Sequence, residues 1–397
     1  MHLRATASAV LLACALAHPA RAQLAALTPS SETAGSLRLA SAVDSIVRHA
    51  MADQSIPGLS VAIVRDGRVV MERGWGTGGG KHPRAATAAT PYQIASVSKQ
   101  FTAAAVLRLA EQGRVKLDDP VTAYVEGLPP AYDGVTLERL LNHTAGVPNF
   151  TDFFRQFRRP VTPGQLVDSL AARRLLFEPG TGFRYTNSGY YLLGLVIERV
   201  TGQAYPDYLR EQFWAPLGMH DTEYCGTRPH ALPSGYARDR RGAAVKTAPW
   251  HPSVLFAAGS LCSTVGDLAT WAVALGEGRV LAPESYRRMT EPAPSTDPHL
   301  RMSYGFGMMV DSTEAGPYLH HDGAVAGFRA QVAWYPRERL AIVVLMNQGF
   351  AAPEPIERDL ARAVLGTAPR GPRLAGPPPS TSARAAVGSF PFPWQEP

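Results

Sequence analysis

Apolar, β-rich segments near both ends of the chain, with helical patterning between them, constrain the fold most. "GLSVAIVRDGRVVMERGWG", from Gly58, reads as two strands that meet at Asp66-Gly67, a dipeptide suited to the positive φ angles of a tight hairpin. "FRAQVAWYP", from Phe328, and "RLAIVVLMNQ", from Arg339, form a second strand pair around "PRER". Residues 36–52 and "SGYYLLGLVIERVTG" carry helical periodicity, the latter with Ser188 as its predicted cap and Gly202 as its stop. The expectation is an α+β domain in which strands from both termini share one antiparallel sheet, flanked by helices and a mostly helical subdomain. With 397 residues and 45% hydrophobic content, the chain can bury a sizeable core. From Gly366 to Pro397 it is too rich in Pro, Gly and Ser to fold alone, and a disordered tail is predicted. The expected domain therefore covers residues 23–365, with no internal repeat.

Residues 1–22 read as an export signal. "MHLR" is basic, "ASAVLLACALA" is a short apolar run, and Ala20-Arg21-Ala22 fits small-x-small cleavage. A periplasmic or secreted protein is expected. The alternative is a lipoprotein attached through Cys14 in "LLAC", although the apolar run ahead of it is short for that role. No segment has the apolar length of a transmembrane helix. The formal charge of +6 falls to +4 once Arg4 and Arg21 leave. Without a basic block, nucleic acid is not implied as a partner. "RPHALPSGYARDRRGAA", the densest basic stretch, reads as a solvated loop. Cys225 and Cys262 remain after cleavage. In an exported protein they either pair or stay as thiols, and sequence does not bring their Cα atoms together.

Several catalytic patterns are missing. There is no Gly-x-Ser-x-Gly elbow, no His-Glu-x-x-His and no close cluster with metal-ligand spacing. "GWGTGG", from Gly74, matches a dinucleotide fingerprint in letters only, since no βαβ unit surrounds it; a flexible strand-end loop is expected. What remains is Ser96-Val97-Ser98-Lys99. In a helix beginning near Ser96, Ser96 and Lys99 share a face and Ser98 turns away. Ser96 then sits where unpaired N–H groups favour developing negative charge, and a half-buried Lys99 can lose its proton. The bland alternative is a helix cap followed by a surface lysine. The chain has only four lysines against many arginines, so a lysine on an apolar helix is informative.

Ser96-Val97-Ser98-Lys99 resembles the Ser-x-x-Lys box of the serine β-lactamase and penicillin-binding protein superfamily. "FEPGTGFRYTNSGYYLLGLVIERVTG" resembles its second motif, with Tyr185-Thr186-Asn187 as Tyr-x-Asn, and "LHHDGAVAGF" resembles a His-x-Gly third box at His321-Asp322-Gly323. "LLNHTAGVPNF" and "APLGMHDTEY" are also typical of the family, and the likeness runs from about Ile56 to Gln348. The resemblance implies a cleft between sheet and helical subdomain, and roles within it. Ser96 is the acylated nucleophile, with Lys99 and Tyr185 sharing proton transfer and Tyr185 held as phenolate by the neighbouring cation. Asn187, His321, Asp322 and Gly323 bind substrate. The backbone N–H groups of Ser96 and Ala324 form the oxyanion hole, with no metal or organic cofactor.

The third box departs from the Lys-Thr-Gly of most β-lactamases. Lys246-Thr247-Ala248, the nearest imitation, lies far upstream and reads as a loop. His321 is neutral or charged near pH 7, and Asp322 repels a substrate carboxylate if it faces the groove. Arg329 is either a replacement carboxylate anchor or a structural strand residue, and His320 alternates to the other face. These features shift the expectation from β-lactamase toward a D-amino-acid peptidase, carboxypeptidase or esterase acting on a small-molecule or peptide substrate, such as a cell-wall stem peptide. A β-lactamase is the alternative, and a penicillin-binding or sensor-like protein that acylates without turnover is an alternative of another class.

Overall fold

The computed structural model describes residues 31–78, 84–227, 232–239, 243–292, 303–313 and 316–366. The predicted signal segment and the tail beyond Gly366 lie outside the described residues. Contacts divide the chain at Arg38/Leu39. The first unit contributes only the opening turns of the helix Ser31–Asp53 to the described residues, and the second holds all the others.

Strands β1 (Gly58–Arg65) and β2 (Arg68–Gly76) form the predicted hairpin. Asp66 (φ 51°) and Gly67 (φ 71°) both occupy the left-handed region that the tight turn requires. Short strands β3 (Tyr92–Gln93), β4 (Glu223–Tyr224), β5 (Gly235–Arg238), β6 (Ala244–Thr247) and β7 (Leu261–Ser263) lie in the middle of the chain. Strands β8 (Met309–Thr313), β9 (Gly316–Val325), β10 (Phe328–Tyr335) and β11 (Leu340–Met346) close it. The main sheet has the order β2-β1-β11-β10-β9-β8. The N- and C-terminal strands therefore meet, antiparallel, with Val61 opposite Val344.

Helices cover both faces of this sheet. On one face Leu59, Val61, Ile63, Ile342 and Val344 pack with Val43 and Val47 of the first helix and with Ile356 and Leu360 of the helix Pro353–Leu365. On the other, Ala62, Val332, Val343 and Leu345 join the larger core built on the helices Ser98–Glu111, Asn187–Thr201 and Val265–Gly276. Burial on both sides explains why "LAIVVLM" is apolar throughout rather than alternating.

Several expectations are corrected in detail. Gly74 and Gly76 lie inside β2, paired with β1, so the start of "GWGTGG" is strand; Gly79 and Gly80 lie outside the described residues. Lys246 and Thr247 are paired in β6 and are no loop, and Gly235–Arg238 of the basic stretch is its partner. Thr186, not Ser188, caps the helix Asn187–Thr201, its Oγ1 accepting from Gly189 N–H at 3.2 Å. Ser188 is buried two residues further in, where its Oγ donates to Pro148 O. Gly202 (φ 71°) ends that helix as predicted. Gly366 (φ 73°) is the cap of the last described helix rather than the first residue of the tail. Cys225 and Cys262 form a disulfide. Among the described residues no helix is long and apolar enough to cross a membrane.

Candidate active site

The first box is a 3-10 turn, Ala95–Val97, that runs directly into the helix Ser98–Glu111. Ser96 thus lies just ahead of the α-helix rather than in its first turn, yet still one turn from Lys99. Between Tyr92 and Leu107 it is the single residue that is not buried. Lys99 and Ser98 beside it have no exposed surface. Ser98 is structural: its Oγ accepts from the Leu261 N–H at 3.2 Å and ties the helix to β7.

Lys99 Nζ is 3.0 Å from Ser96 Oγ, 2.9 Å from Asn187 Oδ1 and 2.8 Å from Ala258 O. Burial drives its pKa down to about 7, opposed by the negative charge of Asp322. A neutral amine has two N–H groups and one lone pair. The Asn187 and Ala258 oxygens accept the two N–H groups, and the lone pair is left for the hydroxyl of Ser96. Nζ also sits 4.8 Å from the centre of the Tyr185 ring.

Tyr185 hydrogen-bonds Ser96, but dense packing around its hydroxyl raises its pKa rather than lowering it. The phenolate expected from the neighbouring cation is therefore not supported: burial favours the neutral phenol, beside an amine that gives up its proton near pH 7. Thr186 explains the spacing of the second box. As N-cap it has extended backbone, which presents Tyr185 before it and Asn187 after it to the same serine–lysine pair. The Asn187 N–H donates to Asn149 Oδ1 at 3.0 Å, and the Asn149 Nδ2 in turn donates to Thr151 and Asp152.

The third box lies on β9, past the last residue paired with β8. Val325 and Phe328 flank the two-residue turn Ala326-Gly327. The ladder alternation then makes Ala324–Arg329 a non-hydrogen-bonded pair, and the Ala324 N–H points away from β10, off the open edge. His321 is fully buried, with Nδ1 2.6 Å from Asp322 O and Nε2 3.0 Å from the Tyr304 hydroxyl. Burial lowers its pKa to about 4, so at pH 7 it is neutral. Asp322 does not face the groove. It is opposite Gln331 on the other side of the sheet, where its charge acts on Arg329 and Glu354. Arg329, opposite Ala324 on that same face, donates to Gly349 O at 2.8 Å and is a structural residue. His320 also faces away, stacked on Tyr318 and 2.9 Å from Asp311. Gly323 is a packing position: a Cβ there would lie 2.2 Å from Ile94 O, so only glycine lets the Ser96 turn approach the strand.

Sequence reasoning missed His143, Asn149, Tyr304 and the backbone of Ala258. His143 lies in a motif noted as typical but given no role. Its ring is 4.4 Å from Tyr185 and 4.7 Å from Tyr304, and its Nδ1 accepts from the Thr186 N–H. Nothing in local sequence points to a carbonyl such as that of Ala258. Among the described residues no three His, Cys, Asp or Glu side chains converge to hold a metal ion.

The beta-lactamase family model matches residues 43–367, beyond both ends of the likeness seen in the motifs. The chain belongs to the beta-lactamase family. This family member is 26% identical over 325 residues to Protein flp of Staphylococcus aureus (strain MW2), an alignment covering 77% of this chain and 62% of that relative. It thus spans about three-fifths of the length of the curated relatives it matches. The D-amino acid amidase of Ochrobactrum anthropi SV3, solved with L-phenylalanine amide, superposes with TM-score 0.75 at 25% identity, over 83% of this chain and 99% of that one. A penicillin-binding protein homologue from Pyrococcus abyssi gives 0.74 at 27% identity, over 82% and 77%.

Proposed function

We propose that this beta-lactamase family member is an exported serine hydrolase that cleaves an amide or ester through an acyl-enzyme at Ser96, with D-amino-acid derivatives as its substrate class. One observation carries the reading. A partly exposed serine hydroxyl lies 3.0 Å from a wholly buried lysine amine whose N–H groups already have other acceptors. Lys99 takes the Ser96 proton as Oγ bonds to the substrate carbonyl carbon, and the oxyanion is held by the Ser96 and Ala324 N–H groups. Tyr185 passes a proton to the leaving nitrogen or oxygen as the scissile bond breaks, and recovers one from Lys99. Water then repeats the sequence on the acyl-enzyme and releases the acid. The preference for D-amino-acid amides is supported by the likeness to the amidase. Export is supported by the apolar leader and by the Cys225–Cys262 disulfide, since such bonds persist in oxidising compartments.

The test is covalent labelling by a neutral fluorophosphonate, read by intact mass, followed by steady-state turnover of a D-amino-acid amide, a short acyl ester and a cephalosporin. Wild type and Ser98→Ala are expected to be labelled, Ser96→Ala not, with turnover of the amide or ester continuing after the burst. Labelling of Ser96→Ala, or a burst without turnover, overturns the reading.

A further inference from the structure

His321 has both ring nitrogens engaged. Nδ1 is 2.6 Å from Asp322 O, an acceptor only, so this nitrogen carries the hydrogen. Nε2 is 3.0 Å from the hydroxyl of Tyr304, a buried residue that reaches it from the loop ahead of β8. That loop has a fixed seat. Gly307 (φ 70°) lies where a Cβ would be 2.5 Å from Lys99 O, so the loop is pressed against the nucleophile helix. The rival acceptor for the Tyr304 proton is the oxygen of Tyr190, whose own hydroxyl donates to Leu141 O at 2.6 Å. Sending the proton there requires an imidazolium at His321, buried beside Lys99 with only the charge of Asp322 across the strand to offset it. Lys99, Tyr185 and His143 face His321 from neighbouring segments, while Asp322 and His320 flank it on its own strand.

We infer that Tyr304 is a specificity-determining positioning residue: it donates to His321 Nε2 and keeps the third box neutral and saturated in hydrogen bonds, so the site selects leaving groups without a carboxylate. This rests on the serine hydrolase reading and narrows it from carboxypeptidase to amidase, aminopeptidase or esterase chemistry. A lysine in the same position would offer a cation. The imidazole offers neither charge nor a spare N–H, and Arg329 lies on the far face of the sheet.

Two measurements test this. In 15N-histidine NMR of the full chain, with His321→Asn to assign the signal, His321 is expected to hold one proton, on Nδ1, and to stay neutral down to about pH 5. Tyr304→Phe frees the Nε2 lone pair and is expected to raise the titration midpoint. A doubly protonated His321 at pH 6–7 in the wild type overturns the proposal. The second measurement uses two thioesters of N-acetyl-D-alanine, one with thioglycolate and one with methyl thioglycolate as leaving group, followed by thiol release. Wild type is expected to favour the methyl ester about tenfold or more in kcat/KM. Tyr304→Phe should narrow that ratio below pH 6, and His321→Lys should narrow it at every pH. A wild-type ratio near one, or a Tyr304→Phe variant that slows both substrates alike, overturns the inference while Ser96 labelling remains. Loss of labelling together with both hydrolyses defeats the hydrolase reading itself.

Discussion

Lys99 shows how a single side chain acquires a function from its surroundings. An exposed lysine holds its proton near pH 7, whereas at Lys99 the cost of burying a charge brings the pKa to about 7. In the proposed reaction the neutral form is the base, so kcat/KM is expected to rise with pH along a one-proton limb centred near 7. Lys99→Arg, which cannot release its proton, should lose acylation by roughly 10³. A limb centred at pH 4–5, or an active Lys99→Arg variant, would assign the base elsewhere. That Ser96 rather than Ser98 meets Lys99 was legible from helical phase, because three residues bring side chains together and one does not. The protonation of Tyr185 was not legible. The cation beside it argued for a phenolate, but the packing that raises its pKa comes from residues distant in sequence.

At the scale of elements, each box is a local geometry before it is a catalytic motif. The first is a 3-10 turn feeding a helix, the second a helix cap with Thr186 at its centre, and the third a strand running past its neighbour's end. Gly323 joins the first to the third. Gly323→Ala places a methyl group 2.2 Å from Ile94 O, two residues before Ser96, and backbone must move to admit it. The expected outcome is a loss of roughly 1–3 kcal/mol in urea denaturation, with kcat falling far more than that instability explains. Unchanged kcat with normal stability would mean the Ser96 turn tolerates the shift. Strand alternation also decides the third box. His321 faces the cleft while Asp322 and Arg329 lie on the opposite face of the sheet, so neither side chain meets substrate there, although the Asp322 charge still reaches Lys99 and His321.

Across the whole molecule, the site depends on three remote parts of the chain being held together. The small sheet β3-β7-β4 links the strand before Ser96 to the strand after Ala258, and Cys225–Cys262 ties β7 to the end of β4. With the cysteines 37 positions apart in sequence, removing the bond is expected to cost roughly 4 kcal/mol, read as a lower urea midpoint for Cys225→Ser/Cys262→Ser. Coincident midpoints for the variant and the oxidised wild type would show that the bond adds nothing. The sheet of terminal strands, its hairpin and the central helices were legible in the sequence, because period-2 and period-3.6 patterning and turn dipeptides are local signals. The approach of Ser96 to Lys99 was legible as one helical turn, whereas Tyr185-Thr186-Asn187 was marked only by its likeness to a family motif, with the cap misplaced at Ser188. The acceptor at Ala258, the clamp of Tyr304 on His321 and the facing of Asp322 were decided by tertiary structure. They depend on which surfaces meet, and on how much water that meeting excludes.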